Sequence, residues 1–176
     1  MSFEIAEFEK ISFEQFGKAC GTVLPSSFVS GGVQDLYDAI TLPRRATAGS
    51  AGYDFFSPFD FDLYPNGTIV IPTGIRVKID PGWFLMCVPR SGSGFKFGVR
   101  LMNTCGIIDS DYYFSDNEGH IMLKLHNTSP DEKKWTVHRG DGIAQGIFLQ
   151  YGLIVNDETS DIRNGGFGST SKNGEM

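Results

Sequence analysis

Between Phe59 and Leu149 the chain is cut into short apolar segments by turn residues, and this spacing constrains its fold more than any other feature. Phe59-Asp60-Phe61-Asp62-Leu63 alternates with period two, so its apolar residues share one face of an extended strand. Pro65-Asn66-Gly67 then turns the chain. Ile69 to Ile79 carries Ile69, Val70, Ile71, Ile75, Val77 and Ile79, and Asp80-Pro81-Gly82 turns it again. Phe84 to Val88, Ile121 to Leu125, Trp135 to His138 and Ile143 to Leu149 continue the series. Short strands with turn signals about every 8–12 residues specify an all-β sandwich or barrel.

At 176 residues the chain is long enough for one domain with a core that needs neither disulfide nor metal. Cys20, Cys87 and Cys105 are odd in number and lack CxxC spacing, which predicts reduced thiols and a cytoplasmic protein. Acidic residues and Lys10 interrupt the first twenty residues, unlike a signal peptide, and no apolar run reaches membrane-spanning length. A net charge of -6 with no basic cluster argues against a nucleic-acid binder. It leaves room for a small anionic ligand held by local donors.

Residues 1–40 differ in character. Ser12 and Gln15 fit a capping box, with Phe13, Phe16 and Cys20 following at helical spacing, which predicts a short helix. Pro25 to Gly32 reads as a loop, and Val33 to Ile40 as a second short helix. At the other end, Arg163 to Met176 is rich in glycine and serine.

NTCGIIDSDYYF (103–114) runs a short apolar segment into two carboxylates and two tyrosines. On an extended chain Asp109 and Asp111 share a face and repel each other unless a cation or proton intervenes. The segment reads either as a strand ending in an aspartate-rich turn or as a chemical site. A calcium loop fails, because Tyr113, Phe114 and His120 stand where a carboxylate or amide, a glycine and a glutamate are required. PRSGSGFK (89–96) is either a polar hairpin turn or an anion cradle of converging amides, hydroxyls and cations. It is not a Walker A loop, and its glycines miss the dinucleotide spacing. NGGFGST (164–170) is either a flexible end or a lid that presents one aromatic ring to a flat ligand. RGDGIAQ (139–145) reads as a turn feeding a strand, and the three histidines show no metal-ligand spacing.

Together with PRRATAGSAGYD (43–54), these segments resemble the five ordered motifs of the trimeric dUTP pyrophosphatases, over roughly residues 40 to 171. The resemblance implies an all-β, jelly-roll-like homotrimer that converts dUTP to dUMP and pyrophosphate with Mg2+. It divides the chain into an N-terminal extension (1–39), a β core (40–162) and a C-terminal lid (163–176). Asp109 becomes the base that activates a water for attack on the α-phosphorus. Tyr112 stacks under the deoxyribose and excludes a 2′-hydroxyl, Asn103 hydrogen-bonds the uracil edge, and Gly106, Ile108 and Met122 complete base recognition. Arg90, Ser91, Gly92, Ser93 and Gln145 match phosphate contacts, and Asp54 matches a carboxylate that holds the metal through water or orients Arg90. In the tail, Phe167 caps the uracil, Ser169 and Thr170 reach the terminal phosphate, and Arg163 and Gly168 are further substrate contacts. Each site is assembled at subunit boundaries, and Asp111 suits a structural role.

The chain also departs from the pattern. Gly142 stands where a basic residue is usual, Arg163 is one position closer to the phenylalanine, and residues 113–118 lengthen a tight turn. Two alternatives remain at this level. A dCTP deaminase would need a glutamate-centred site, whereas the Asp109 to Tyr112 segment is of the hydrolase type. A regulatory binding protein would contact a partner through the extension or the 113–118 loop. Phe3, Phe8, Phe13, Phe16 and Phe28 predict that the extension docks on the β core or across a subunit boundary without reaching the active site.

Overall fold

Ala6, Phe8 and Lys10 alternate with Glu7 and Glu9, the period of a strand, and Ala6–Lys10 forms β1. The computed structural model of the protein describes residues 4–29 and 31–159. After β1 come α1 (Phe13–Val23), α2 (Val33–Asp38), β2 (Arg44–Arg45), β3 (Tyr53–Phe56), β4 (Phe61–Leu63), β5 (Thr68–Pro72), β6 (Ile75–Ile79) and β7 (Trp83–Val88). The chain continues through α3 (Ser91–Phe97), β8 (Val99–Leu101), β9 (Gly106–Ile108), β10 (Met122–Asn127), β11 (Trp135–Val137) and β12 (Gly142–Gln150). Short 3-10 turns span Ser26–Val29 and Ser110–Phe114.

The strands form a five-stranded sheet in the order β2-β3-β12-β7-β9, a three-stranded sheet β5-β10-β8, and the pairs β1-β6 and β11-β4, all antiparallel. The expected strand from Ile69 to Ile79 is two strands, because Pro72 offers no amide hydrogen and Gly74 takes φ +71°. Buried Thr73 secures the break: its hydroxyl donates to the Ile121 carbonyl at 2.6 Å and accepts from the Ile75 amide at 3.1 Å. The PRSGSGFK segment is a helix, not a hairpin turn. Its glycines work against helix propensity, but the buried Ser93 hydroxyl donates to the Arg90 carbonyl and Phe97 packs on Trp135.

The N-terminal arm docks on its own β core. β1 pairs with β6, and Phe8 sits among Tyr53, Phe55 and Phe148 with ring centroids 5.5–5.9 Å away. Ile11, Phe16 and Cys20 are fully enclosed in the main core cluster with Ile71, Ile75 and Ile121. Burial raises the Cys20 thiol to about 11, which keeps it an inert packing group. Phe16→Ala should lower unfolding free energy by about 3–5 kcal/mol, the usual cost of emptying a buried phenylalanine site. Denaturant titration of the full chain checks this, and an unshifted midpoint would show the arm to be dispensable.

The capping box at Ser12 is half formed locally. The Ser12 hydroxyl accepts from the Gln15 amide at 3.1 Å, as its spacing predicts. Its own amide, however, donates to a carboxylate oxygen of Glu118 at 2.8 Å, so a distant glutamate replaces the Gln15 side chain.

Candidate active site

The NTCGIIDSDYYF segment leaves its strand at Ile108 and enters the 3-10 turn Ser110–Phe114, with Asp109 at the junction. The two acids are thereby separated in environment, Asp109 half-buried and Asp111 exposed. The Tyr112 amide donates to the Asp109 carbonyl at 3.1 Å. Before β9, Thr104 adopts φ +67°, a conformation that costs a β-branched residue about 1–3 kcal/mol. Its amide donates to the Leu101 carbonyl at 3.0 Å, closing the reversal that carries Asn103.

This reversal, β9, the 3-10 turn and β10 enclose a cavity of about 450 Å3. Asn103, Gly106, Ile108, Tyr112 and Met122 all line it, so five residues singled out in the sequence converge. The volume falls within the range of small-molecule sites. Val70 and Lys124 also line it and were missed. Lys124 had a signal, since it is two residues from Met122 and therefore on the same strand face. Tyr112 is 5% exposed, and its hydroxyl donates to the His120 carbonyl at 2.9 Å while accepting from the Asn117 side-chain amide at 2.8 Å. Asn117 and His120 carry no sequence pattern that would have marked them.

A second cluster lies where β3, β7 and β12 meet. Pairing places Gln145 opposite Asp54 on one side and Val88 on the other. The Arg90 guanidinium pairs with Asp54 at 3.1 Å and donates to the Gly142 carbonyl at 3.1 Å. The Gln145 side-chain amide donates to the Pro89 carbonyl at 3.1 Å, which fixes the entry to α3. Arg90, Ser91, Gly92, Ser93 and Lys96 line a depression of about 440 Å3, which brings two serines and two cations together. Gly142 lies at a bulge in β12, and a methyl group there would run into the Arg90 guanidinium. The Arg90 guanidinium occupies the space beside Gly142.

The cavity and the depression share no lining residue. Arg163, Phe167, Gly168, Ser169 and Thr170 lie outside the described residues. Among the described residues no group of three histidine, cysteine or acidic side chains is placed to hold a metal. Asp54 is a single carboxylate with its side chain 14% exposed. No described helix is long and apolar enough to cross a membrane.

The family model for dUTPase matches residues 38–171. The chain belongs to the dUTPase family. Among its relatives, the deoxyuridine 5'-triphosphate nucleotidohydrolase of Dictyoglomus turgidum is 41% identical over 140 residues, covering 74% of this chain and 90% of that one. The crystal structure of the dUTPase from Streptococcus mutans superposes with a TM-score of 0.62 at 27% identity, over 85% of this chain and 98% of the other. A mutant dUTPase from phage phi11 of S. aureus, in which a structural Mg(II) ion is coordinated, shares the fold with a TM-score of 0.61 at 17% identity, over 90% and 98% of the two chains. The dUTPase fold expected from the five segments is therefore the fold of this chain, and members of the family are typically trimers. The match begins at residue 38, so the arm that buries Phe16 lies ahead of the family core.

Proposed function

We propose that this dUTPase hydrolyses dUTP to dUMP and pyrophosphate. The observation that carries the reading is the convergence of Asn103, Gly106, Ile108, Tyr112 and Met122 on one cavity, with Asp109 directly following its wall residue Ile108. Asn103 and the backbone at Gly106, Ile108 and Met122 read the uracil edge. The Tyr112 ring, fixed through its hydroxyl, forms the surface under the sugar and leaves no room for a 2′-hydroxyl. Asp109 takes a proton from a water whose oxygen bonds to the α-phosphorus, and the bond to the bridging oxygen breaks to release pyrophosphate.

Arg90, Ser91, Gly92, Ser93 and Gln145 form the phosphate end, and Lys96 adds a further cation. Asp54 fits Mg2+ held chiefly by substrate oxygens and water, because that ion needs only one or two protein carboxylates. When bound, Mg2+ neutralises charge on the triphosphate. The same carboxylate orients Arg90, so both roles expected of Asp54 fit one geometry. In a homotrimer, one subunit's base cavity would meet a neighbour's phosphate cluster, with the tail carrying Phe167, Ser169 and Thr170 closing over both.

Pyrophosphate release by the purified protein with Mg2+, over a panel of deoxynucleotides and UTP, tests the reading. dUTP should be the preferred substrate. Tyr112→Ala should let UTP compete, since a packed wall is replaced by space. Turnover of dCTP or dTTP as fast as dUTP would overturn the base assignment. UTP used no better by Tyr112→Ala would remove the tyrosine from the gate.

A further inference from the structure

The residues that lengthen the turn after Tyr112 are gripped from both sides. On the inner side, Asn117 donates to the Tyr112 hydroxyl and its carbonyl oxygen accepts from the Gly119 amide at 3.2 Å. On the outer side, one carboxylate, Glu118, accepts from the Ser12 hydroxyl at 2.6 Å and from the Ser12 amide at 2.8 Å. Beside it the Tyr113 hydroxyl donates to Glu9 at 2.9 Å, Arg76 pairs with Glu9 at 2.6 Å, and the Arg76 guanidinium lies 4.4 Å from the Tyr113 ring centroid. Both Glu9 and Ser12 belong to the N-terminal arm.

The loop needs this grip. Glu118 sits at φ +59° and Gly119 at φ +71°, and a left-handed non-glycine residue persists only where its surroundings hold it. A methyl group at Gly119 would stand 2.8 Å from the Tyr113 Cα and 2.9 Å from the Tyr112 carbonyl, so the reversal is wrapped directly onto the Tyr112 backbone. Burial works against the Glu118 charge, but the Ser12 hydroxyl and amide outweigh it and keep the carboxyl below its ordinary value. The carboxylate is therefore ionised at neutral pH, and charge-assisted bonds of this kind are about twice as strong as neutral ones.

We propose that Ser12 and Glu118 are positioning residues for Tyr112, so that the N-terminal arm, which lines no part of the cavity, sets the sugar selectivity of the site from outside it. The selectivity claim rests on the dUTP reading; the brace itself rests on geometry alone. Mechanically, Ser12 fixes Glu118, the Glu118–Gly119 reversal fixes Asn117, and Asn117 fixes the Tyr112 hydroxyl. The arm thereby acts on the site, and an arm that merely adds stability is too weak a description.

Two substitutions at Ser12 separate bracing from helix capping. Aspartate caps a helix as well as serine does, yet it places a second carboxylate against Glu118. Threonine keeps both the cap and the hydroxyl. Ser12→Asp should speed amide exchange at Tyr112 and Ser115 and lower dUTP/UTP discrimination by about tenfold or more, the equivalent of one lost charge-assisted hydrogen bond. Ser12→Thr should match the parent in both. An Ser12→Asp protein with parental exchange and discrimination overturns the proposal, and so does one with faster exchange but unchanged discrimination. A parent that releases no pyrophosphate from dUTP would overturn the hydrolase reading instead, and the exchange measurement would still decide the brace.

Discussion

Asp109→Asn should lower kcat for dUTP by about 10²–10⁴-fold, the range expected when a positioned general base is removed, while binding of a non-hydrolysable dUTP analogue should stay close to parental. The amide is isosteric with the carboxylate, and the bond that anchors the following turn is from the Tyr112 amide to the Asp109 backbone carbonyl, which the substitution leaves in place. The cavity residues Asn103, Gly106, Ile108, Tyr112 and Met122 are likewise untouched. With the turn and the cavity lining in place, the loss should fall in kcat and not in affinity. Steady-state pyrophosphate release together with analogue titration checks both halves. Near-parental turnover would remove Asp109 from the base role.

The second large effect is an acid transition centred on His120. This imidazole is 1% exposed, its Nε2 accepts from the Gly74 amide at 2.9 Å, and the Phe16 ring lies 6.4 Å away. Burial lowers its pKa to about 4, against a weaker upward pull from Glu118. The unfolded chain, titrating near 6.5, therefore binds the proton more readily than the folded one. Stability from this group is complete above pH 6.5 and is lost as pH falls toward 4, amounting to about 3 kcal/mol in full. Protonation would also turn the acceptor of the Gly74 amide into a donor. Thermal or denaturant melts between pH 7 and 4 should show this slope. His120→Gln, which keeps an acceptor and cannot titrate, should flatten it over that window. A slope unchanged in His120→Gln would assign the transition to other groups.

Much of the β framework could be read from the chain because its signals are local. Alternation at Phe59–Leu63 and the apolar runs at 84–88, 121–125, 135–138 and 143–149 all fall on strands β4, β7, β10, β11 and β12 or at their edges. The Ser12 cap and the α1 helix were equally legible, since a helix start is written in four consecutive residues. β1 was present as Ala6-Glu7-Phe8-Glu9-Lys10 but obscured, because Glu9 is held in a partly buried pair with Arg76 and looks from sequence like a solvated charge. α3 was hidden for the opposite reason: three glycines within or bounding it speak against a helix, and tertiary contacts at Ser93 and Phe97 override them. At the site, Asn103, Gly106, Ile108 and Tyr112 were legible because one short segment carries them all, and Asp54, Arg90 and Gln145 because their motifs recur in fixed order. Lys124 was marked only by its two-residue spacing from Met122, and Asn117, Glu118 and the bond from Ser12 to Glu118 were not legible, because their part depends on where distant segments meet.

Gly142 carries a consequence for how such a chain can change. The Arg90 guanidinium occupies the volume that a side chain at 142 would need, and it is tied there to Asp54 and to the Gly142 carbonyl itself. A replacement at 142 would therefore have to displace the far end of the Arg90 side chain. The two positions thus form an epistatic pair: a substitution at one acts through the other, and a double-mutant cycle between them should be non-additive.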